Sequence, residues 1–166
     1  MAFKRVGFGQ VEPNHLSAQR TSQIYAQLPA KSDIAVLENG QFVKYDYKAK
    51  ENAIGEVNLT GAGEWMLVYN EVKTYDARET AADYVMNSAS FGNPVPRVFK
   101  TNVGDIMTTN AINLEEDYVI KVADTLIVGN DGFLKIGTHE KDMVWQVAKV
   151  YTLADGQPAV KIVRIQ

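Results

Sequence analysis

Residues 143–166 read MVWQVAKVYTLADGQPAVKIVRIQ, with Asp155-Gly156 between two stretches rich in β-branched and aromatic residues. That composition is typical of β-strands. Aspartate followed by glycine between such stretches indicates a tight turn, because glycine adopts positive φ without steric cost. The end of the chain therefore predicts a β-hairpin with strands at residues 143–152 and 159–165.

Residues 97–136 hold further short strand signals separated by turn residues. The predicted strands lie at residues 97–102, 105–109, 118–122, 125–128 and 133–136, with Asn130-Asp131-Gly132 as the turn before the last one. Val103-Gly104-Asp105-Ile106 and Val122-Ala123-Asp124-Thr125 share a pattern of valine, small residue and aspartate, which predicts two similar strand starts. A run of short strands with regular turns favours a barrel or a sandwich.

Strand signals also precede this region. Residues 34–37 and 42–47 flank Glu38-Asn39-Gly40, and Asn-Gly between apolar stretches is a strong hairpin signal because both residues tolerate positive φ. Residues 64–75 alternate Trp65, Leu67 and Tyr69 with Met66, Val68 and Asn70, which predicts another strand.

One short helix is predicted near residues 77–87. Asp76 can accept hydrogen bonds from the first-turn amides, and Glu79 completes a pattern like a capping box. Ala77, Ala81, Ala82 and Val85 give this segment a small apolar face. The following loop contains Pro94 and Pro96, which do not fit a central strand.

The first 30 residues differ in character from residues 31–166, the predicted β-rich domain. Apart from Lys4, Arg5 and Arg20 they are rich in Gln, Asn, Ser and Gly, and their apolar residues are scattered. We expect an extended N-terminal arm, either a tail without fixed structure or a segment that orders on a partner. Within it, residues 17–28 could form a short helix that ends at Pro29. The candidate partner contacts are its aromatic, arginine and large aliphatic residues: Phe3, Arg5, Phe8, Arg20, Ile24, Tyr25 and Leu28.

Composition limits the classes of partner. The 166 residues carry 17 Lys+Arg against 20 Asp+Glu, a net charge of −3 that gives no overall attraction to nucleic acid. No apolar run approaches the roughly 20 residues of a membrane-spanning helix, and the start shows no secretory signal. There is no cysteine, so disulfides and thiolate sites are excluded. We expect neither a nucleic-acid partner nor a membrane partner.

No motif in the sequence predicts catalysis, a cofactor or a metal site. The two histidines, His15 and His139, lie in polar stretches, and His139-Glu140 lacks the second histidine of a zinc-protease motif. A serine-hydrolase elbow is also missing from the sequence. Glu115-Glu116-Asp117 lacks the alternating ligand positions of a calcium loop and is interpreted as a solvated turn. An enzyme is therefore the least favoured class.

The aromatic residues Trp65, Tyr69, Trp145 and Tyr151 leave two interpretations open. They either pack in the core or form an exposed platform on which sugar rings stack. The second interpretation predicts a carbohydrate-binding β module. The cations that alternate with apolar residues are predicted on the solvated side of their strands, and these are Lys44, Lys149, Lys161 and Arg164.

The distal half resembles a known group of proteins. From VGDIMTTNAI (103–112) through VADTLIVGNDGFLKIG (122–137) to the terminal hairpin, it is similar to the small β-barrel accessory proteins that decorate tailed-bacteriophage capsids. The shared features are a Gly-Asp strand start, an Asn-Asp-Gly turn, a long strand and a terminal hairpin.

This resemblance implies a virion structural protein that binds the major capsid protein or another virion protein. It also implies a homo-oligomer at a symmetry position of the shell, acting as a decoration, cement or fibre-supporting subunit. The N-terminal segment and the helix depart from the smallest such proteins, which leaves head or tail placement open. We therefore expect a mainly β protein, a small antiparallel barrel or sandwich with one short helix and an extended N-terminal arm.

Overall fold

A computed structural model describes residues 7, 9–11, 28–46, 49–54, 64–69, 85–87, 95–138 and 143–166. Within these residues the chain is mainly β and contains no helix, which confirms the predicted β class. The strands are β1 Val36–Glu38, β2 Phe42–Asp46, β3 Glu51–Ala53, β4 Met66–Val68, β5 Val85–Asn87, β6 Val98–Phe99, β7 Ile106–Thr109, β8 Thr125–Val128, β9 Leu134–Ile136, β10 Val144–Thr152 and β11 Pro158–Arg164.

The distal strands form one antiparallel sheet in the order β7-β11-β10-β8-β9. The terminal hairpin predicted from the sequence lies at its centre, with Gly156 at φ 84° in the connecting turn. The register of β10 on β11 shifts between Val147 and Lys149, which marks a bulge or irregularity in this ladder. Beyond Gln146, β10 extends past Thr125, the first residue of its other neighbour, β8.

This sheet curls until its two edges meet. β7 ends at Thr109 on one edge, and Ile112 forms a parallel bridge with Leu134 of β9 on the opposite edge. A flat five-stranded sheet would hold its edge strands about 19 Å apart, whereas the three residues from Thr109 to Ile112 span about 11 Å at most. The five strands therefore form a small barrel-like unit, called the barrel below, with Ile112 at its seam.

A second antiparallel sheet, in the order β3-β2-β4-β6, has core residues on both faces. Phe42, Leu67 and Phe99 form a cross-strand row facing the barrel. Phe42 packs on Trp145 of the barrel with ring centroids 6.0 Å apart. The opposite face enters a second core, whose buried members are Ala30, Ile34, Leu37, Val43, Met66, Val68 and Val98. The alternation predicted for residues 65–69 is confirmed. Its two sets of side chains enter two different cores, so neither set faces solvent.

The hairpin predicted around Asn39-Gly40 is wrong, although its turn forms. The Gln41 amide donates to the Glu38 carbonyl at 3.2 Å, and Gly40 has φ 89°. The strands on either side then part, because β1 pairs with β5 while β2 pairs with β3 and β4. Burial explains the separation: Leu37 of β1 is fully buried in the second core, where it covers the face opposite the barrel.

Two further sequence predictions need correction. The helix predicted near residues 77–87 is wrong at its end, where Val85–Asn87 forms β5 against β1; residues 76–84 lie outside the described residues. Cross-strand pairing with β1 there outweighs local helix preference. The strand predicted at residues 118–122 is also wrong. These residues form an irregular segment that leads into a turn, and Ile120 of this segment packs on the barrel core.

The repeated valine, small residue and aspartate pattern folds into two matching turns, which confirms the prediction of two similar strand starts. In each turn the aspartate carboxylate accepts from the amide three residues earlier: Asp105 from Asn102, and Asp124 from Lys121, both at 2.8 Å. The middle residue has positive φ, 94° at Gly104 and 75° at Ala123.

Both turns also dock on the central hairpin in the same way. Gly104 donates to the Arg164 carbonyl on β11, and Ala123 donates to the Val147 carbonyl on β10, both at 2.8 Å. The Arg164 and Val147 amides donate back to the Asp105 and Asp124 carbonyls, both at 2.9 Å. β7 and β8 therefore begin with the same local geometry on the two sides of one hairpin.

This match gives a reciprocal pair of substitutions. Gly104→Ala places a Cβ in open space but at positive φ, so we expect a loss of about 1 kcal/mol in the free energy of unfolding. Ala123→Gly removes that strain and should raise the free energy of unfolding by about 0.5–1 kcal/mol. Urea denaturation of both variants measures the two effects. Changes of the same sign would contradict the equivalence of the turns.

Candidate attachment segment and ligand cleft

Residues 9–11, part of the predicted arm, are built into the β fold. Val11 bridges Thr109 at the end of β7 and is buried in the barrel core. The Gly9 amide donates to the Glu38 carboxylate, and a Cβ on Gly9 would lie 2.6 Å from the Asn39 carbonyl oxygen. This close approach requires glycine. The segment therefore lies between the turn at residues 38–41 and the end of β7.

Side-chain hydrogen bonds fix this segment to the barrel. The Gln10 amide donates to Asn110 Oδ1 at 2.6 Å, and Thr109 Oγ1 donates to the Gln10 carbonyl at 2.6 Å. Gln10 Nε2 reaches Asp155 Oδ2, 3.1 Å away in the turn of the terminal hairpin. Gln157 donates to the same carboxylate from its main chain at 3.0 Å and from its side chain at 2.7 Å. Gln10 is thus joined both to the end of β7 and to the turn of the terminal hairpin.

The far end of the predicted arm is fixed as well. Asn52 on β3 donates from its side chain to the Leu28 carbonyl and from its main chain to the Pro29 carbonyl, both at 2.8 Å. Ala30 is buried in the second core. Residues 9–11 and 28–30 therefore belong to the β fold.

Among the predicted partner contacts, the structure describes Leu28. This residue is half-buried, and its carbonyl accepts a hydrogen bond from the Asn52 side chain. The other predicted contacts lie outside the described residues: Phe3, Arg5, Phe8, Arg20, Ile24 and Tyr25. The arm and its contacts therefore stay predictions at those positions.

The aromatic residues are mainly core residues, so the sugar platform proposed for Trp65 and Trp145 is wrong. Trp145 is fully buried, and Trp65 and Tyr69 are buried beside it in the barrel core. The Lys44 ammonium lies over the Trp65 ring, 4.5 Å from its centroid. Tyr151 is half-buried on the distal part of β10.

Arg164 is buried rather than solvated, which corrects its predicted position on a wet strand face. Its guanidinium forms an ion pair with Glu64 and donates to the Thr101 carbonyl and, at 3.1 Å, to Thr101 Oγ1. Its Nε donates to the Gln166 carbonyl at 2.9 Å. A buried charge with this many partners ties the end of β11 to the residues just before β4 and just after β6 of the second sheet.

The other polar candidates from the sequence show no assembled reactive centre within the described residues. Glu115, Glu116 and Asp117 are exposed around a turn with Asp117 at φ 69°, as the interpretation of a solvated turn predicted. The described part of the chain contains no cluster of three or more side chains able to hold a metal ion. His15 and His139 lie outside it.

A cleft of about 570 Å³ opens at the seam of the barrel. It is formed by the segment after β7 and by the β8–β9 connection, which the bridge between Ile112 and Leu134 brings together. Its lining residues are Asn113, Leu114, Glu115, Tyr118, Gly129, Asn130, Asp131, Lys135 and Ile136. No sequence motif predicted this grouping, because its two segments meet only through closure of the sheet.

Two fixed polar groups shape the cleft. Asn113 Nδ2 donates to Asp131 Oδ2 at 2.5 Å, while the Phe133 amide donates to Asp131 Oδ1 at 3.1 Å. The Tyr118 hydroxyl donates to Asp124 Oδ2 at 3.1 Å. Desolvation raises the pKa of Tyr118 above 10.0, and the hydrogen bond to Asp124 raises it further. Tyr118 is therefore a neutral ring at physiological pH.

The barrel surface also carries exposed apolar side chains. Val103 and Val122 occupy the same position in the two matching turns and are 65% and 61% exposed. Val119 lies close to the second turn in sequence and is 49% exposed. These valines therefore lie at the barrel surface, two of them at equivalent places in the two matching turns.

Comparisons with known proteins found no matching family model, no similar curated protein and no similar solved structure. In the part of the chain that the structure describes, no helix has the length and apolar character to cross a membrane.

The Gln10 contact has a consequence for titration. Partial burial raises the pKa of Asp155, but hydrogen bonds from the Gln157 amide and the Gln10 side chain outweigh it and place the pKa below 3.8. Ionised Asp155 therefore stabilises the fold above about pH 3.8, and this contribution is lost as the pH falls through the lower folded pKa. Gln10→Ala should move the Asp155 midpoint upward in an NMR titration of the carboxyl carbon.

Gln146→Ala, the same change at a half-buried glutamine of β10, is the control and should leave the Asp155 midpoint unchanged. An unchanged midpoint in Gln10→Ala would show that the segment at residues 9–11 is not held on the terminal hairpin.

Proposed function

We propose that this chain is a virion structural protein that binds an assembled bacteriophage capsid as a decoration, cement or fibre-supporting subunit. The observation that carries the proposal is that the sequence block resembling capsid accessory proteins folds as one unit. Its Gly-Asp strand start, Asn-Asp-Gly turn, long strand and terminal hairpin are β7 to β11 of the barrel.

The anchoring of residues 9–11 supports attachment through the N-terminal segment. Val11 is fixed on the barrel, so the segment at residues 9–11 has a defined position. Fixing the base of a binding segment lowers the conformational entropy that is lost when the segment binds. The proposed shell contacts are the residues selected from the N-terminal sequence: Phe3, Arg5, Phe8, Arg20, Ile24, Tyr25 and Leu28.

A repeated shell and an oligomeric subunit would strengthen this attachment. Several arms engaging one shell multiply a modest single-site affinity through effective concentration. Val103 and Val122 are exposed apolar side chains on the barrel, and a neighbouring subunit or the shell would cover them. The proposed partners are the major capsid protein or another virion protein, together with further copies of this chain.

Capsids assembled from the major capsid protein encoded in the same genome provide the test. We expect the purified chain to add to these shells at a fixed copy number. The double variant Phe3→Ala/Arg5→Ala should lower the apparent affinity by tenfold or more, about 1.4 kcal/mol, because aromatic and arginine anchors dominate interfaces. Sedimentation of shells with labelled protein measures occupancy.

Lys149→Ala is the control. Like Arg5→Ala, it removes one positive charge, but Lys149 lies on the exposed surface of β10. It should leave occupancy unchanged. Removing residues 1–30 is a poorer test, because it would also remove Val11 and Ala30 from their cores. Absence of wild-type binding would refute the proposed function, and full occupancy by the double variant would refute the role of these contacts.

A further inference from the structure

The cleft at the barrel seam has the form of a ligand site. Its volume of about 570 Å³ lies inside the range of roughly 300–1,000 Å³ that is usual for small-molecule pockets. Leu114, Tyr118 and Ile136 pack partly against the barrel core and give the cleft an apolar wall. Asn113, Asn130 and Asp131 add polar groups beside this wall.

The charges of the cleft select against anionic ligands. Glu115 and Asp131 face one cation, Lys135, and the exposed Glu116 and Asp117 follow Glu115 in sequence. A phosphate or carboxylate would meet net negative charge there. The ligand that fits is neutral, with an apolar face for the Tyr118 wall and hydroxyl groups for the amides and carboxylates.

A sugar ring has this division between a C–H face and a hydroxyl-bearing edge. We propose that the cleft binds one unit of a neutral saccharide, with the ring against Tyr118 and its hydroxyls on Asn130, Asp131 and Lys135. This site uses none of the residues of the proposed capsid attachment. It gives the chain a second binding activity, directed at glycans.

Some polar groups of this site are held by hydrogen bonds, and others have no partner among the residues that the structure describes. Asp131 is held through both carboxylate oxygens by Asn113 and by the Phe133 amide. The Asn130 and Lys135 side chains form no hydrogen bond or ion pair with any other residue that the structure describes. Fixed acceptors and unused donors around one apolar wall are the pre-organised arrangement that ligand recognition requires.

Gly129 keeps the Asp131 side of the cleft in this form. A Cβ at position 129 would lie 2.8 Å from Asp131 Oδ1 and 3.2 Å from the Phe133 carbonyl oxygen. The φ of Gly129 is not positive, so glycine is required here by space rather than by backbone conformation. Gly129→Ala would therefore push the Asp131 carboxylate out of its position.

The experiment uses the full chain and an array of neutral mono- to tetrasaccharides built from glucose, galactose, mannose and N-acetylglucosamine, with glucuronic acid and sialic acid glycans alongside. We expect binding to one or more neutral glycans, with amide shifts in ¹H–¹⁵N NMR spectra confined to residues 113–118 and 129–136. Tyr118→Ala should weaken binding by tenfold or more through loss of the ring surface. Asn130→Ala should weaken it by several-fold through loss of a hydrogen bond.

Tyr151→Ala is the matched control, because it removes the half-buried tyrosine of β10, which does not line the cleft. It should bind within about twofold of wild type, a difference well below the roughly 1.4 kcal/mol of a tenfold loss. If Tyr118→Ala does not fold, Asn130→Ala and the location of the amide shifts still separate the outcomes.

No shift with any neutral glycan at millimolar concentration would overturn the proposal. Binding limited to the acidic glycans, shifts located elsewhere, or wild-type affinity in both Tyr118→Ala and Asn130→Ala would also overturn it. The Asn130→Ala variant should add to capsids as the wild type does. Loss of glycan binding would therefore leave the proposal of capsid attachment untouched, and the reverse also holds.

Discussion

The structure depends on the burial of β4 on both faces. Met66, Leu67 and Val68 are at most 1% exposed, although alternate residues of a strand point in opposite directions. Leu67 therefore joins the barrel core, while Met66 and Val68 join the second core. Burying a side chain of this size contributes about 1.5–3 kcal/mol, and three consecutive residues do so here. Every other layer packs on one side or the other of this strand.

Two-sided burial also explains how distant parts of the chain are joined. The barrel covers one face of the second sheet, with Trp145 against Phe42. The other face is covered by Leu37 and Ala30, which come from the N-terminal side of the sheet. Arg164 links the last strand to Glu64, two residues before β4. Residues 9–11 lie against the end of β7, so this segment is fixed on the same layers.

Much of the distal fold could be predicted from sequence because local signals and pairing agree there. The strands β7 to β11 lie within or near their predicted bounds, and the turns at Gly132 and Gly156 have the expected positive φ. The predicted hairpin at residues 34–47 and the end of the predicted helix failed because strands paired with partners distant in sequence. The Asn39-Gly40 turn formed, but its strands joined different sheets.

Candidate-site residues were harder to predict than strands. Trp65 and Trp145 have the composition of a sugar platform but lie in a core that only the packing of two sheets creates. Arg164 alternates with apolar neighbours like a solvated cation, yet Glu64 and Thr101 reach it from other parts of the chain. The cleft joins residues 113–118 to residues 129–136 through closure of the sheet, which no local pattern encodes.

Cryo-electron microscopy of capsids incubated with the full-length chain tests the central claim of attachment most directly. The account predicts density for the barrel and second sheet at a defined symmetry position, with the N-terminal segment between them and the shell and the cleft open to solvent. Shells without added density, or a subunit docked with its cleft against the shell and its N-terminal segment away from it, would contradict the account.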